Sequence, residues 1–452
     1  MVKKTIRFVL IFISSFIGVI ILFLLISIVP LDRTPYKEKP FYAEMMTRLD
    51  SLLQKPPALT KAKFNIGFAK ESITPRQRVA TAGYGNRKGK LIEGIHDSVF
   101  VRAMVVQTNT SKVAIVSADL LILPPTVVEV LKKRLPEIGF TINNTYLGAI
   151  HTHNSIGHWA GGATQIMYGE YKDSIVNFIA DKIIASIHRA TQNTLPSTLK
   201  VGQVPIRGVV KNRIIDGGPV DSLLRVIEVH RSDSSKLILM SHAAHATCLY
   251  SRDIYLSRDY PGKLVDTMEQ QGYTFAMFMA GAVGSHGCKP PEFGLNCIDY
   301  MANEISLQFM ANRNKLHDVQ DSTLIIEHIG FILPESQVKI SKDWGIRPWL
   351  FWAALGEFPV YLNALRLGDV VMLGTPSDFS GEFNYQLDTL AEQHHLQAMV
   401  TSFNGGYIGY VTPLKYYDVD HYETRLMNWY GPGTGEYMTE CLDKMIVSVS
   451  DQ

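Results

Sequence analysis

From Phe64 onward, apolar runs of strand length alternate with segments of helical period, and this alternation confines the chain to an α/β architecture. Val113 to Leu123 reads as a buried strand, Thr126 to Leu135 as a short helix, and Thr145 to Ile150 as a strand ending at His151. Ile175, Ile179, Ile183 and Ile187 recur every four residues and mark a long amphipathic helix. Further strands are expected at Leu223–His230, Leu237–His242, Phe275–Met279, Thr323–Leu333 and Asn363–Leu373, with a helix near Cys297–Asn312. No low-complexity segment, repeat or internal boundary interrupts the pattern. Residues 63–452 are therefore expected to form a single large mixed-sheet α/β domain with flanking helices. With 452 residues, 46% of them apolar, such a domain can bury a core without covalent staples, and four cysteines are too few for a disulfide scaffold. Lys and Arg number 44 against 42 Asp and Glu, so the broad basic footprint of a nucleic-acid binder is missing.

Ahead of this domain, Lys3, Lys4 and Arg7 precede an uncharged run from Phe8 to Pro30. About 20 apolar residues suffice to cross a bilayer as a helix, whereas a secretory signal has a shorter apolar stretch and a small-residue cleavage site. The run ends in Ile-Val-Pro-Leu-Asp, without such a site. Residues 1–33 are expected to be an uncleaved single-pass anchor rather than a cleaved signal. The basic flank then stays in the cytoplasm, and the body of the protein lies on the extracytoplasmic side. Residues 34–62, polar and Pro-containing with an amphipathic stretch near Phe41 to Leu53, are expected to form a stalk or docking helix.

Chemistry-bearing residues gather at the ends of the expected strands. His151 and His153 lie one residue apart where the Thr145 strand enters a Gly-rich loop, and in a strand i and i+2 share a face. Such a pair suits a metal ion or is simply structural. His245 follows the Leu237 strand among small residues, which leaves room for a metal or substrate, or for a packed core histidine. Asp378 follows the strand Asp369–Leu373 and is either a ligand or the N-cap of the next helix. Tyr407, Tyr410, Tyr416, Tyr417 and Tyr422 lie densely among glycines and suit either a polar pocket or aromatic packing.

Taken together and in this order, these stretches resemble the catalytic domain of neutral/alkaline (non-lysosomal) ceramidases. Ile150-His151-Thr152-His153-Asn154-Ser155-Ile156-Gly157 resembles the family's paired-histidine stretch, and Asn212-Arg213-Ile214 its Asn-Arg-Ser segment. Ala243-Ala244-His245-Ala246-Thr247, Pro376-Ser377-Asp378-Phe379-Ser380, Tyr410-Val411-Thr412 and Tyr422-Glu423-Thr424 resemble later motifs. Ile73-Thr74-Pro75, Gly83-Tyr84-Gly85, Gly94-Ile95-His96-Asp97 and Val116-Ser117-Ala118-Asp119 resemble the family's opening, so the likeness runs from about Phe64 to Tyr437. It implies Zn2+ held by His151, His245, Asp378 and Tyr410, with His153, Arg213 and Tyr422 lining the reacting carbonyl. Four departures stand out. Asp378 replaces a glutamate, Asn154-Ser155-Ile156 and Ser285-His286-Gly287 depart from the family's loops, and the family's C-terminal immunoglobulin-like domain is not expected in this chain.

What the resemblance implies is hydrolysis of a lipid-like N-acyl amide, ceramide-like, to a fatty acid and a sphingoid base by a zinc-activated water. Hydrolysis of another amide or ester, or a non-catalytic membrane-tethered binding role, is the alternative. The expected partners are the lipid-like substrate and the membrane, with no nucleic acid and no obligate protein partner. Trp344, Trp349, Leu350, Phe351, Trp352 and Phe358 crowd one stretch, which reads as an acyl-binding wall, an interface-dipping element or ordinary core. Cys288 with Cys297, or Cys248 with Cys441, could form disulfides, or all four stay free thiols. His286, near the strand ends, could touch substrate, but is expected on a surface loop.

Overall fold

A computed structural model describes residues 2–54 and 63–450; the last part of the expected stalk, residues 55–62, lies outside the described residues. Among the described residues the largest sheet has nine strands. Its path runs Phe275–Ala280, Lys236–His242, Leu223–Arg231, Leu195–Pro205, Phe64–Ser72, Phe100–Gln107, Lys112–Ala118, Thr145–Ala149, with the short His317–Asp318 also beside Leu195–Pro205. The middle is antiparallel and both edges are parallel pairs: Lys236–His242 with Phe275–Ala280, and Lys112–Ala118 with Thr145–Ala149.

The sheet curls so that its two edges approach each other. The Ser117 hydroxyl on one edge pair donates to the Phe278 carbonyl on the other at 2.5 Å. Gly148 faces the methyl of Met279, which a Cβ would approach to 2.5 Å. This closure brings together chain segments that lie at opposite ends of the strand order.

A second, four-stranded sheet runs Leu324–Gly330, Tyr361–Leu367, Val370–Thr375, Gln397–Ser402. The expected single strand Asn363–Leu373 is in fact a hairpin, because Gly368 takes a φ of 60° and reverses the chain between Leu367 and Val370. The two sheets pack face to face over Met104, Ile115, Met277, Leu365, Met372 and Met399. Leu237 and Leu239 point into this layer while Ile238 and Met240 point out under helices, so the middle of the strand is apolar on both faces, as a doubly covered strand must be.

Helices close both outer faces. Pro125–Arg134 and Asp173–Gln192 cover one part of the large sheet, and Asp259–Gln270 and Leu295–Ala311 another. On the second sheet lie Asn384–Gln393, Thr434–Val449 and the N-terminal helix Pro40–Leu53, which buries Met45 and Leu49 there. The hydroxyls of Tyr36 and Tyr42 both donate to Glu440, at 2.6 and 2.8 Å. Layers of helix, sheet, sheet and helix make this a mixed α/β fold, as expected.

One helix among the described residues, Lys4–Ser27, is long and apolar enough to cross a membrane, and its residues 4–26 are all exposed. Immediately after it, Ile28–Pro30 pairs antiparallel with Trp344–Ile346.

The cysteine pairing differs from both expected ones. Cys248 and Cys297 form a disulfide, whereas Cys288 and Cys441 are buried free thiols. The strand His286–Cys288 turns the Cys288 thiol onto the His245 carbonyl, at 3.2 Å, and Cys441 lies in the core of the Thr434–Val449 helix, remote in the fold from Cys248.

Candidate functional site

Parallel strand pairs align their carboxyl ends, and in open α/β sheets those ends are where sites form. Here three such ends converge. His151 follows Thr145–Ala149, His245 follows Lys236–His242, and Asp378 follows Val370–Thr375. The sheets are held in register at this end by hydrogen bonds between them. Tyr146 pairs with the Thr401 hydroxyl at 2.7 Å, and Ser402 donates to the Gly281 carbonyl at 2.8 Å.

His151 sits at a φ of 63°, in the left-handed region that non-glycine residues avoid, and such strain is retained where the surroundings fix it. Its amide donates to the Leu120 carbonyl, its Nδ1 donates to the Leu121 carbonyl at 2.6 Å, and its ring stacks on Phe403 at 3.9 Å. The Nδ1 proton leaves Nε2 of the neutral ring as a bare lone pair.

The Nε2 atoms of two further histidines face it. His151 Nε2 lies 2.9 Å from His245 Nε2 and 3.2 Å from His153 Nε2, and His153 Nε2 lies 2.9 Å from His245 Nε2. Asp378 completes the group, with Oδ1 3.4 Å from His151 Nε2 and 3.7 Å from His245 Nδ1. Its Oδ2 accepts from the Tyr407 hydroxyl at 2.7 Å, while Oδ1 is buried without a hydrogen-bond partner among the described residues. The aspartate side chain, though one methylene shorter than glutamate, therefore reaches the histidines.

Asp378 does not cap the following helical turn; the Ser380 hydroxyl does, accepting from the Glu382 amide. Instead Asp378 pairs in parallel register with Tyr410. Gly284 crosses directly beneath: a Cβ there would stand 2.2 Å from the Asp378 carbonyl oxygen, so any larger residue would push the aspartate strand away.

Burial governs the electrostatics. It pushes the His151 imidazole down to about 3, partly opposed by the bond to Leu121. It also lowers His153 and His245, with neighbouring histidines and Arg213 adding to the effect. All three rings are thus neutral. Burial pushes the Asp378 carboxyl up to about 7 against the pull of the Tyr407 hydroxyl. Three neutral ring nitrogens at hydrogen-bonding distance cannot all satisfy one another, and an unpartnered carboxylate oxygen stands beside them. Neutral imidazoles with a carboxylate are the donor set of a metal site, and His151, His153 and His245 could hold an ion. Cys248, Cys288 and Cys297 also cluster, but two of their sulfurs are joined in the disulfide.

Around this group the structure gathers the remaining expected residues. Tyr410 stacks on His245 at 6.1 Å. Arg213 donates from Nη1 to His245 Nδ1 at 2.9 Å and to the Tyr410 hydroxyl at 3.3 Å. Its Nη2 meets Glu423 at 2.7 Å. Although burial works the other way, Tyr410 and Glu423 hold the guanidinium above its ordinary value. Tyr422 stands edge-on to Tyr410 at 5.9 Å and is half exposed.

Several participants were not singled out from the sequence. Glu423, buried to 1% exposure of its side chain, was read only as part of a Tyr-Glu motif. Tyr407 was one tyrosine among many, and Phe403 carried no polar signal. His286 is a correction: it is fully buried in the strand His286–Cys288. Its Nε2 accepts from the Asp221 amide at 2.6 Å and its Nδ1 pairs with the Ser285 hydroxyl at 2.7 Å, so it ties two loops together behind the site.

His151, His153, Asp378 and Tyr410 line a cavity of about 220 Å³. Its walls are apolar and include Leu121, Trp159, Phe351, Trp352, Leu355 and Trp429. Part of the aromatic stretch noted in the sequence therefore does line the pocket, through the helix Pro348–Leu355.

Comparison with known proteins bears on the fold that carries these residues. Residues 64–217 match the family of neutral/alkaline non-lysosomal ceramidases, in their N-terminal part. The chain is 28% identical over 183 residues to the neutral ceramidase of Pseudomonas aeruginosa. That stretch spans 38% of this chain and 27% of the relative. Among solved structures, the chain is similar to crystalline neutral ceramidase from Pseudomonas aeruginosa, with a TM-score of 0.70 and 19% identity over 86% of this chain and 74% of that one. A ceramidase complexed with C2 gives a TM-score of 0.73 at 20% identity, over 85% of this chain and 75% of that one.

Proposed function

Starting from the match of residues 64–217 to the neutral/alkaline non-lysosomal ceramidases, we propose that the protein is a zinc-dependent amidohydrolase of ceramide-like N-acyl lipids. One observation carries the reading. Two histidines and an aspartate from three separate strand ends meet within 3.7 Å, and two of the three, His151 and Asp378, line an apolar pocket. Polar chemistry at the bottom of an apolar slot suits a substrate whose single reactive amide joins long hydrocarbon chains.

His151, His245, Asp378 and Tyr410 would hold the zinc. When bound, such an ion supplies a water of pKa near 7 and polarises a carbonyl oxygen. The chain's own residues do the rest. Neutral His153, facing the same centre, accepts a proton from the attacking water and returns it to the departing amine. The Arg213 guanidinium and the Tyr422 hydroxyl donate hydrogen bonds to the oxygen that gains charge as the carbonyl becomes tetrahedral. Glu423 holds Arg213 by its other nitrogen, so the guanidinium is oriented before substrate arrives. The apolar walls seat the acyl chain and exclude bulk water. The products are a fatty acid and a sphingoid base.

The exposed apolar helix Lys4–Ser27 would anchor the protein, with its basic end in the cytoplasm and the pocket outside it. The Cys248–Cys297 disulfide accords with an oxidising extracytoplasmic compartment. Metal analysis of the purified protein, combined with a panel of fluorescent N-acyl substrates, tests the proposal. About one zinc per chain and chelator-sensitive release of fatty acid from ceramide-like amides is the expected result. Zinc with turnover of other amides or esters only would redirect the substrate assignment. A metal-free protein that hydrolyses nothing would refute the enzyme reading.

A further inference from the structure

The end of the apolar N-terminal helix is fastened to the same segment that walls the pocket. Ile28–Pro30 forms a strand with Trp344–Ile346. At the start of the helix Pro348–Leu355, the Arg347 amide donates to the Ser27 carbonyl at 2.8 Å, and the Trp349 indole donates to the Ile26 carbonyl at 2.7 Å. The same eight-residue helix presents Phe351, Trp352 and Leu355 to the pocket. Eight residues of helix span about 12 Å. The pocket wall is therefore within about 12 Å of the point where the apolar span ends.

The surface at that junction has an interfacial composition. Trp344 is 50% exposed, Trp349 45% and Ile340 42%. Between them Lys342 is exposed, and its carbonyl accepts from Arg33 at 3.0 Å. Tryptophans flanked by Lys and Arg next to a hydrophobic span are characteristic of the headgroup layer of a bilayer, where an indole is apolar on its face and polar at its nitrogen.

We propose that the segment from Ile340 to Trp349 docks into the headgroup layer of the phospholipid bilayer that holds the N-terminal helix, seating the pocket mouth on the membrane. A lipid substrate then enters the pocket directly from the bilayer and never crosses water. The occupant argued for is lipid, because this face continues without a break from a helix whose apolar flank is exposed along its whole length. The inference rests on reading Lys4–Ser27 as membrane-inserted and the pocket as a lipid site.

Fluorescence offers a direct test, since the helix contains no tryptophan and the five tryptophans all lie from Trp159 onward. Full-length protein is reconstituted in phosphatidylcholine vesicles with lipids brominated near the headgroup. Brominated lipid should quench part of the emission, and Trp344→Phe/Trp349→Phe should abolish that part. No quenching, or quenching unchanged in the double variant, would overturn the proposal. This readout needs no catalysis, so it stands even if the activity assigned above fails. In active protein, Trp344→Ala/Trp349→Ala should lower hydrolysis of a vesicle-embedded long-chain substrate at least tenfold. Turnover of a water-soluble short-chain N-acyl amide should stay within twofold. Equal loss on both substrates would mean the two indoles merely support the fold.

Discussion

Glu423→Gln separates orientation of the site from its metal chemistry. The carboxylate is almost wholly buried and meets Arg213 Nη2 at 2.7 Å, with His421 on its other side. Removing one partner of a buried pair typically costs about 3–5 kcal/mol. Arg213 retains the Tyr410 hydroxyl and keeps 24% of its side chain exposed, so water recovers part of the loss. A destabilisation of about 2 kcal/mol is therefore expected. At about 2.1 cal/mol/K per residue, that lowers the melting temperature of a chain this long by about 2 °C. The catalytic effect should be larger. A freed guanidinium no longer aims at the oxyanion position, and loss of such a donor costs about 10²–10³ in rate. The assay is kcat with zinc content and a melt on the same preparation, repeated for Arg213→Ala and for the double variant. If Glu423 acts through Arg213, the double variant is no slower than Arg213→Ala alone. Multiplicative losses, or loss of zinc from Glu423→Gln, would refute the reasoning.

The two histidines of the His-x-His pair should part company: His151→Ala loses metal and activity together, while His153→Ala keeps zinc and loses about 10²–10⁴ in amide turnover, with activated esters less affected. Metal content and the amide-to-ester ratio decide it, and equal metal loss in both variants would make His153 a ligand, as its 2.9 Å approach to His245 also permits. Cys297→Ser opens a disulfide spanning 49 residues of sequence and should lower unfolding free energy by about 4 kcal/mol in the chain-entropy view. A denaturant midpoint unchanged in that variant would show that the bridge constrains nothing.

The fold was legible in the sequence where burial is two-sided. Residues 113–116 and Phe275–Ala280 are apolar without interruption, and the four-residue isoleucine repeat of Asp173–Gln192 is unambiguous. Turns decided by a single backbone angle were not legible, and Gly368 alone converts an apparent long strand into a hairpin. The candidate site was half visible for a related reason. His151, His245 and Asp378 announce themselves at strand ends, yet their meeting depends on curling of the large sheet and on docking of the second, neither of which is a local property. The burial of Glu423 and His286 has no local signal because it comes from distant chain. Nearness in sequence favours Cys288 as the partner of Cys297, whereas the site's own loop turns Cys288 towards His245 and leaves Cys297 to Cys248.

Curling and docking of the sheets also set an order of events during synthesis. The paired histidines emerge from the ribosome early and His245 at mid-chain, but Asp378 and Tyr410 arrive only with the second sheet. A nascent chain therefore owns scattered donors and no complete centre until its last quarter has been made and packed. An ion bound afterwards would grip three seams at once, acting as a rivet through both layers. At a thousandfold excess over its dissociation constant, it would add about 4 kcal/mol against unfolding. Hydrolytic competence and mechanical integrity would then be lost together on demetallation, which gives a quality-control system one signal for both.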